Sequence, residues 1–446
     1  MIVRVLHLTA LAAFVATAAM AQEPRPLSAE EERIAAYIDA HRTEAVSLLE
    51  RIVNLNSGTL NPEGVRAVYD AIAPELRRLG FEVRYAALPQ EMGRGGHLVA
   101  TLRPADGRAQ GKSLLLIGHL DTVFEKDSPF QRFDRLNDSI ARGPGVADMK
   151  GGNVVIVQAL EALASTGALA GTHITVVMTG DEEAPGRPID AARAELIEAG
   201  READLALGFE GGSRDEDGTV RAVIARRSSS SWKLEVRARP AHSSGIFGEG
   251  VGAGAIYEAA RIIDRFYGEI RGEKNLTFNA GLILGGTQVV HDAGESRGTA
   301  FGKTNVIPET VVATGDIRTI SNEQLQHTRD RMRHIVEKGL PHTRAEITFT
   351  DGYPAMPPTD ANYELLRLYS GISESLGYGP VLPFDPALRG AADISFVAPL
   401  VEAGMDGLGI YGSGSHTVEE TAELSSLPQQ TKRAAILIYR LTRQPR

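Results

Sequence analysis

Three short runs, residues 113–117, 174–179 and 205–209, are almost wholly apolar and are separated by stretches of helical periodicity. Strands without a polar face must be covered on both sides, so this alternation predicts a mainly parallel sheet packed between helices. The run 98–102 reads the same way, and helices are predicted over 154–163 and 193–199. Two more helices precede the sheet. Ser28 and Glu31 have capping-box spacing, and Ile34, Ile38, Val46, Leu49 and Val53 follow at helical intervals. Val65, Val68, Ile72, Leu76 and Leu79 repeat the pattern and stop at Gly80.

After Gly218 the pattern changes. Trp232, Leu234, Val236 and Ala238 alternate with charged residues, as in a half-exposed strand. A helix over about 251–267, strands at 276–283 and 311–317, a helix capped by Ser321 with Gln324, and a strand at 345–349 complete a β-α-β-β-α-β order. Beyond the proline-rich stretch 354–358 the earlier rhythm resumes. The expected fold is therefore α/β, with a mainly parallel sheet flanked by helices in 22–218 and 353–446. A ferredoxin-like α+β domain is inserted at 219–352.

The start of the chain carries Arg4, an apolar stretch over 5–20 and Ala19-Met20-Ala21. A basic residue, a short apolar core and a small-residue exit describe a signal peptide over 1–21, with cleavage near Ala21 and export to the periplasm or beyond. Of the 446 residues, 57 are acidic against 47 Lys and Arg, a net charge of −10, and no basic run interrupts the balance. Such a chain has no long-range attraction for nucleic acid or for a membrane surface once the leader is gone. There is no cysteine. Disulfides, thiolate nucleophiles and cysteine metal sites are thereby excluded, and any metal must be held by His and carboxylates.

The apolar runs end in groups that can hold one. The run 113–117 leads into His119 and Asp121, 174–179 into Asp181-Glu182-Glu183, and 205–209 into Glu210. The carboxyl ends of parallel strands face one crevice, so separate strands deliver these groups to one place. Asp148 lies in the glycine-rich stretch 142–152, whose glycines let backbone approach a ligand closely. One His or Glu at a strand end is ordinary loop chemistry. Convergence of several is different, because an acid run beside an apolar strand is costly unless paired or metal-bound.

These residues resemble the di-zinc exopeptidases that include bacterial glutamate carboxypeptidase, succinyl-diaminopimelate desuccinylase, acetylornithine deacetylase and aminoacylase, and bacterial glutamate carboxypeptidase above all. The matching pieces are Gly118-His119-Leu120-Asp121-Thr122-Val123-Phe124, the loop around Asp148, Thr179-Gly180-Asp181-Glu182-Glu183, Phe209-Glu210, Pro240-Ala241-His242-Ser243 and Gly414-Ser415-His416. The resemblance implies two Zn²⁺ ions per chain, replaceable by Co²⁺ or Mn²⁺, with Asp148 bridging them. His119 and Glu210 would hold one ion, and Glu183 and His416 the other. Asp121 would orient the His119 ring, and Glu182 would act as general base toward a zinc-bridging hydroxide. The resemblance further implies that the inserted domain is a lid pairing in a homodimer. Arg318 and Asn305 would contact substrate, and His242 would reach the partner's site. Two features depart from the pattern: extra length over 290–303, and a glycine-rich segment reduced to Gly390-Ala391-Ala392-Asp393.

The activity so implied is a metallo-exopeptidase, a carboxypeptidase cleaving a C-terminal amide bond of a peptide or N-acyl amino acid. An N-acyl-amino-acid amidohydrolase on the same scaffold is the near alternative. An inactive homologue that binds peptides or solutes is the remote one.

Overall fold

The computed structural model describes residues 25–105, 107–294 and 296–446, so the expected signal peptide lies outside the described residues. The capping box at Ser28 and Glu31 forms as read and opens the helix Ala29–Ala40. Arg42–Val53 and Pro62–Arg78 follow, the latter started by an Asn61 side chain that accepts from Gly64 N–H.

The central sheet runs Glu82–Ala86, His97–Leu102, Ile174–Thr179, Leu114–His119, Leu205–Gly208, Ala403–Met405. Its last four strands are mutually parallel. The strand His97–Leu102 is antiparallel to Ile174–Thr179, and Glu82–Ala86 is antiparallel to it in turn. A covered strand is apolar whichever way it runs, so composition could not reveal that reversal. Along Leu114–His119 the side chains divide by pleat. Leu114 and Leu116 join the core beneath the long helices, whereas Leu115 and Ile117 join a second core with Leu196, Ile394 and Val397. Both faces are therefore dry, as the apolar runs require. The helices Gly151–Ser165 and Ser426–Leu441 pack together on the first face.

A separate core is built around Trp232, Leu234, Val236, Ile262, Phe266, Met332 and Ile335. It lies between an antiparallel sheet and the helices Ala255–Ile270 and Asn322–Glu337. The sheet order is Thr343–Tyr353, Ser229–Ala238, Thr310–Arg318, Leu282–Gly286, or 4-1-3-2 in chain order, the ferredoxin-like arrangement. The extra length near 290–303 folds into a hairpin, Gln288–Asp292 against Arg297–Phe301. Where the chain enters and leaves this unit, Arg226 and Met356 exchange backbone hydrogen bonds of 2.8 and 2.9 Å.

Candidate metal centre

His119 ends the strand Leu114–His119, Glu210 follows Leu205–Gly208, and Glu182 and Glu183 follow Ile174–Thr179. Parallel pairing brings these three strand ends side by side. Asp148 sits in the turn leading into the helix Gly151–Ser165. The glycines of that turn are spatially necessary: a Cβ on Gly152 would fall 1.9 Å from the Phe209 carbonyl oxygen, beside Glu210. His416 comes from the loop between Gly412–Ser413 and Thr421–Glu423, with φ of +66°.

All five expected ligands meet. Asp148 points its two oxygens in different directions. Oδ1 lies 3.5 Å from His119 Nε2, which is also 3.6 Å from Glu210 Oε1. Oδ2 lies 3.3 Å from His416 Nε2, itself 3.2 Å from Glu183 Oε2. His119 Nε2 is buried and has no hydrogen-bond partner. A buried ring nitrogen facing two carboxylates just beyond bonding distance fits a shared cation, which would sit about 2.0–2.2 Å from each donor. Glu182 also brings a carboxylate oxygen near His119 and Glu210. Among the described residues, groups of three or more His, Asp or Glu able to share a metal occur only here.

Asp121 does more than the sequence suggests. His119 Nδ1, on the ring edge away from Asp148, is held by the Asp121 backbone carbonyl at 3.0 Å, with the Asp121 carboxylate Oδ1 3.3 Å away. The same carboxylate accepts the backbone N–H groups of Glu182 and Glu183, at 3.0 and 3.1 Å, and the Thr59 hydroxyl at 2.6 Å. One buried acid thus aligns the imidazole and the two glutamates.

Charges at the site are strongly perturbed. Burial, reinforced by the Glu210 charge, holds Glu182 well above the ordinary carboxyl range, and burial with Asp148 pushes Glu210 up to about 8. Burial opposes ionisation of Asp148 too, but His119 and His416 outweigh it and hold that carboxyl below its usual range. Hydrogen bonds with Asp148 and Glu183 raise His416 to about 11. So many acids around two imidazoles make a strong cation trap.

Sequence reasoning missed several supporting groups. Asp406 Oδ1 accepts the Glu210 N–H at 3.2 Å, while its Oδ2 accepts from Arg226 Nε at 2.9 Å. It follows the short strand Ala403–Met405, so the strand-end signal that found Glu210 could have found it. Arg193 is fully buried and binds Asp181, Asp393 and the Tyr353 hydroxyl. That hydroxyl donates to the Glu182 carbonyl at 2.8 Å. Glu420 accepts backbone N–H bonds from Gly145, Ala147 and Asp148.

The remaining expected residues lie in the inserted unit. His242 is exposed, pairs in a β-bridge with Val306, and keeps its Nδ1 2.8 Å from Ser244 Oγ. Asn305 is beside it, its carbonyl accepting from Ser243 N–H at 2.9 Å. Arg318 ends the strand Thr310–Arg318 and donates to Asp316 at 3.0 Å. No hydrogen bond or ion pair joins any of the three to the ligand cluster among the described residues.

Residues 115–440 match the model of peptidase family M20/M25/M40. The chain belongs to this family. It is accordingly a hydrolase of the metallopeptidase and amidohydrolase kind, and enzymes of family M20 are metal-dependent, usually through zinc. Over 445 residues it is 26% identical to carboxypeptidase G2 of Pseudomonas sp. (strain RS-16), covering 98% of both chains. It is also 26% identical to succinyl-diaminopimelate desuccinylase of Gluconacetobacter diazotrophicus, covering 90% of this chain and 97% of that one. Among solved M20 structures, a metallo-carboxypeptidase from Sulfolobus solfataricus superposes with TM-score 0.64 at 15% identity, over 90% of this chain and 99% of that one. Aminopeptidase PepT from Bacillus cereus gives 0.67 at 18% identity, over 90% and 98%. At those identities the structural likeness speaks to the fold.

Proposed function

We propose that this M20 enzyme is a zinc-dependent exopeptidase that removes a C-terminal residue from a peptide or N-acyl amino acid. The observation that carries the reading is the Asp148 carboxylate, shared between a His119–Glu210 pair and a His416–Glu183 pair. Such a carboxylate between two His/carboxylate sets suits two ions about 3.5–4 Å apart. Bound there, zinc would supply Lewis acidity at the scissile carbonyl and make water acidic enough to attack at neutral pH.

The protein's own groups would do the rest. Glu182, held through its backbone by Asp121 and Tyr353, would take the proton of the attacking water and return it to the leaving nitrogen. Asp121 would fix the His119 tautomer so that Nε2 faces the metal side. Arg318 would receive the substrate's terminal carboxylate, for which a planar guanidinium is suited, and Asn305 would contact its amide. Residues 219–352 would act as lid and dimerisation unit, with His242 stabilising the oxyanion in the partner's site. Export through a cleaved signal peptide favours scavenging of external substrates over a biosynthetic deacylation. The relative named carboxypeptidase, matched end to end, supports the same choice.

A broad panel of peptides and N-acyl amino acids, scored by the free amino acid released, tests this. Release of a C-terminal residue, abolished by chelation and restored by Zn²⁺ or Co²⁺, is the expected outcome. Cleavage confined to small acyl groups would favour the amidohydrolase, and zinc binding without any turnover would favour the inactive binder. Donation of His242 is tested by mixing His242→Ala with Glu182→Gln. Random re-association yields half mixed dimers with one good site each, so about a quarter of wild-type activity should return. No recovery despite subunit exchange would exclude it.

A further inference from the structure

Glu420 stands out among the buried polar groups. Its side chain is fully buried. Its Oε2 accepts from Gly145 N–H at 3.0 Å, and its Oε1 accepts from Ala147 and Asp148 N–H at 2.9 and 3.0 Å. Its backbone carbonyl accepts a fourth bond, from Gly143 N–H at 3.2 Å. Gly145 has φ of +70°, a turn that points successive N–H groups the same way. At the end of the same turn the buried Lys150 side chain donates to the Leu55 carbonyl at 2.9 Å. Glu420 is only four residues from His416 and shares its loop. One residue therefore grips the whole 143–148 turn and anchors it to the segment that bears His416.

The consequence concerns geometry. Asp148 can serve both halves only if its carboxylate keeps one oxygen toward each. The turn's own backbone bonds run from Val146 N–H to the Gly143 carbonyl at 3.1 Å and from Lys150 N–H to the Gly145 carbonyl at 2.8 Å, and the Asp148 N–H is left to Glu420. His416 has an exposed side chain on an irregular loop, so its distance to Asp148 depends on the tie between loop and turn.

We propose that Glu420 is a positioning residue of the metal centre, which locks the Asp148 turn to the His416 loop and so sets zinc affinity without touching the metal. This rests on the reading of the cluster as a zinc site, and the test separates the two. Metal-stripped full-length protein is titrated with Zn²⁺ against a chromophoric chelator, for wild type, Glu420→Gln, Glu420→Asp and Glu419→Gln. Glu419 is the exposed neighbour and should behave as wild type. A carboxamide cannot accept three N–H bonds as a carboxylate does, and aspartate is one methylene short. Both Glu420 variants should bind zinc about 10–100-fold more weakly, the usual scale for groups that orient metal ligands.

A merely structural role would lower the melting temperature of the metal-free protein and leave zinc affinity unchanged in the folded fraction. If Glu420→Gln does not fold, Glu420→Asp decides by the same constants. Zinc binding within about twofold of wild type in the folded variant would overturn the proposal while leaving the metal centre intact. No zinc binding by wild type would overturn the centre, and the proposal with it.

Discussion

The two halves of the ligand cluster are built differently. His119 and Glu210 stand at the ends of adjacent parallel strands, and the His119 side chain is 1% exposed. His416 stands on a loop, in a left-handed backbone conformation, with its side chain 57% exposed. Asp406 braces the first half and Asp121 reaches both, through the His119 ring and the Glu183 N–H, whereas the tie to the His416 loop runs through the Glu420 contacts with the Asp148 turn. The contrast teaches that a rigid sheet can preorganise one half, while the other depends on a hydrogen-bonded turn and stays open to solvent.

That difference can be broken first by removing each histidine. His119→Ala should abolish activity and leave the half-buried Glu210 carboxylate facing Asp148 Oδ1 with no imidazole between them, while Asp148 Oδ2 keeps His416. A loss of about 3–5 kcal/mol in folding stability is expected, as for breaking other buried charge pairs. His416→Ala should lose metal from its own half at a cost below about 1 kcal/mol, because an exposed side chain contributes little to the core. Thermal melts and zinc content of the two variants check this, and equal destabilisation would erase the distinction.

Glu182→Gln comes next. It should keep both metals yet lower kcat by about 10²-fold or more, the usual scale for a general base. Normal turnover would remove Glu182 from the mechanism, and metal loss would make it a ligand of the strand-borne half.

Asp121→Asn should then weaken zinc binding by about 10–100-fold in both halves, since the amide cannot accept the Glu182 and Glu183 N–H bonds and also face the His119 ring. Equilibrium titration at each site reads the effect, and a change confined to one half would contradict the assignment.

The smallest effect is expected from Tyr353→Phe. The ring still packs edge-on to Phe396, but the hydroxyl's bond to the Glu182 carbonyl and the one it accepts from Arg193, whose same nitrogen keeps the Asp181 carbonyl, are lost. A cost of about 1 kcal/mol is expected, appearing as a few-fold fall in kcat with KM and zinc content unchanged. A change in KM alone would place Tyr353 in substrate binding instead.

The same contrast explains what was legible in the sequence. Apolar strands that end in His119, Glu183 and Glu210 announce themselves, because burial forces an apolar run and a polar residue interrupts it. The inserted unit was legible too, since Trp232, Leu234 and Val236 alternate as a half-covered strand must. His416 had no such pattern and was found by resemblance alone. The direction of His97–Leu102 left no trace in its residues. Nor did the ties among Glu420 and Asp148, Tyr353 and Glu182, or Arg193 and Asp393, because partners 272, 171 and 200 positions apart share no periodicity. Hydrogen bonds of that kind become visible only once the fold has brought the loops together.

The central claim is that Asp148 stands between two metal ions, one in each half. Anomalous diffraction at the zinc edge, from crystals of the zinc-loaded protein, tests it most directly. Two peaks about 3.5–4 Å apart are predicted. One should lie beside His119 and Glu210, the other beside His416 and Glu183, with Asp148 touching both. A single peak, or two peaks that leave Asp148 unbound, would contradict the account.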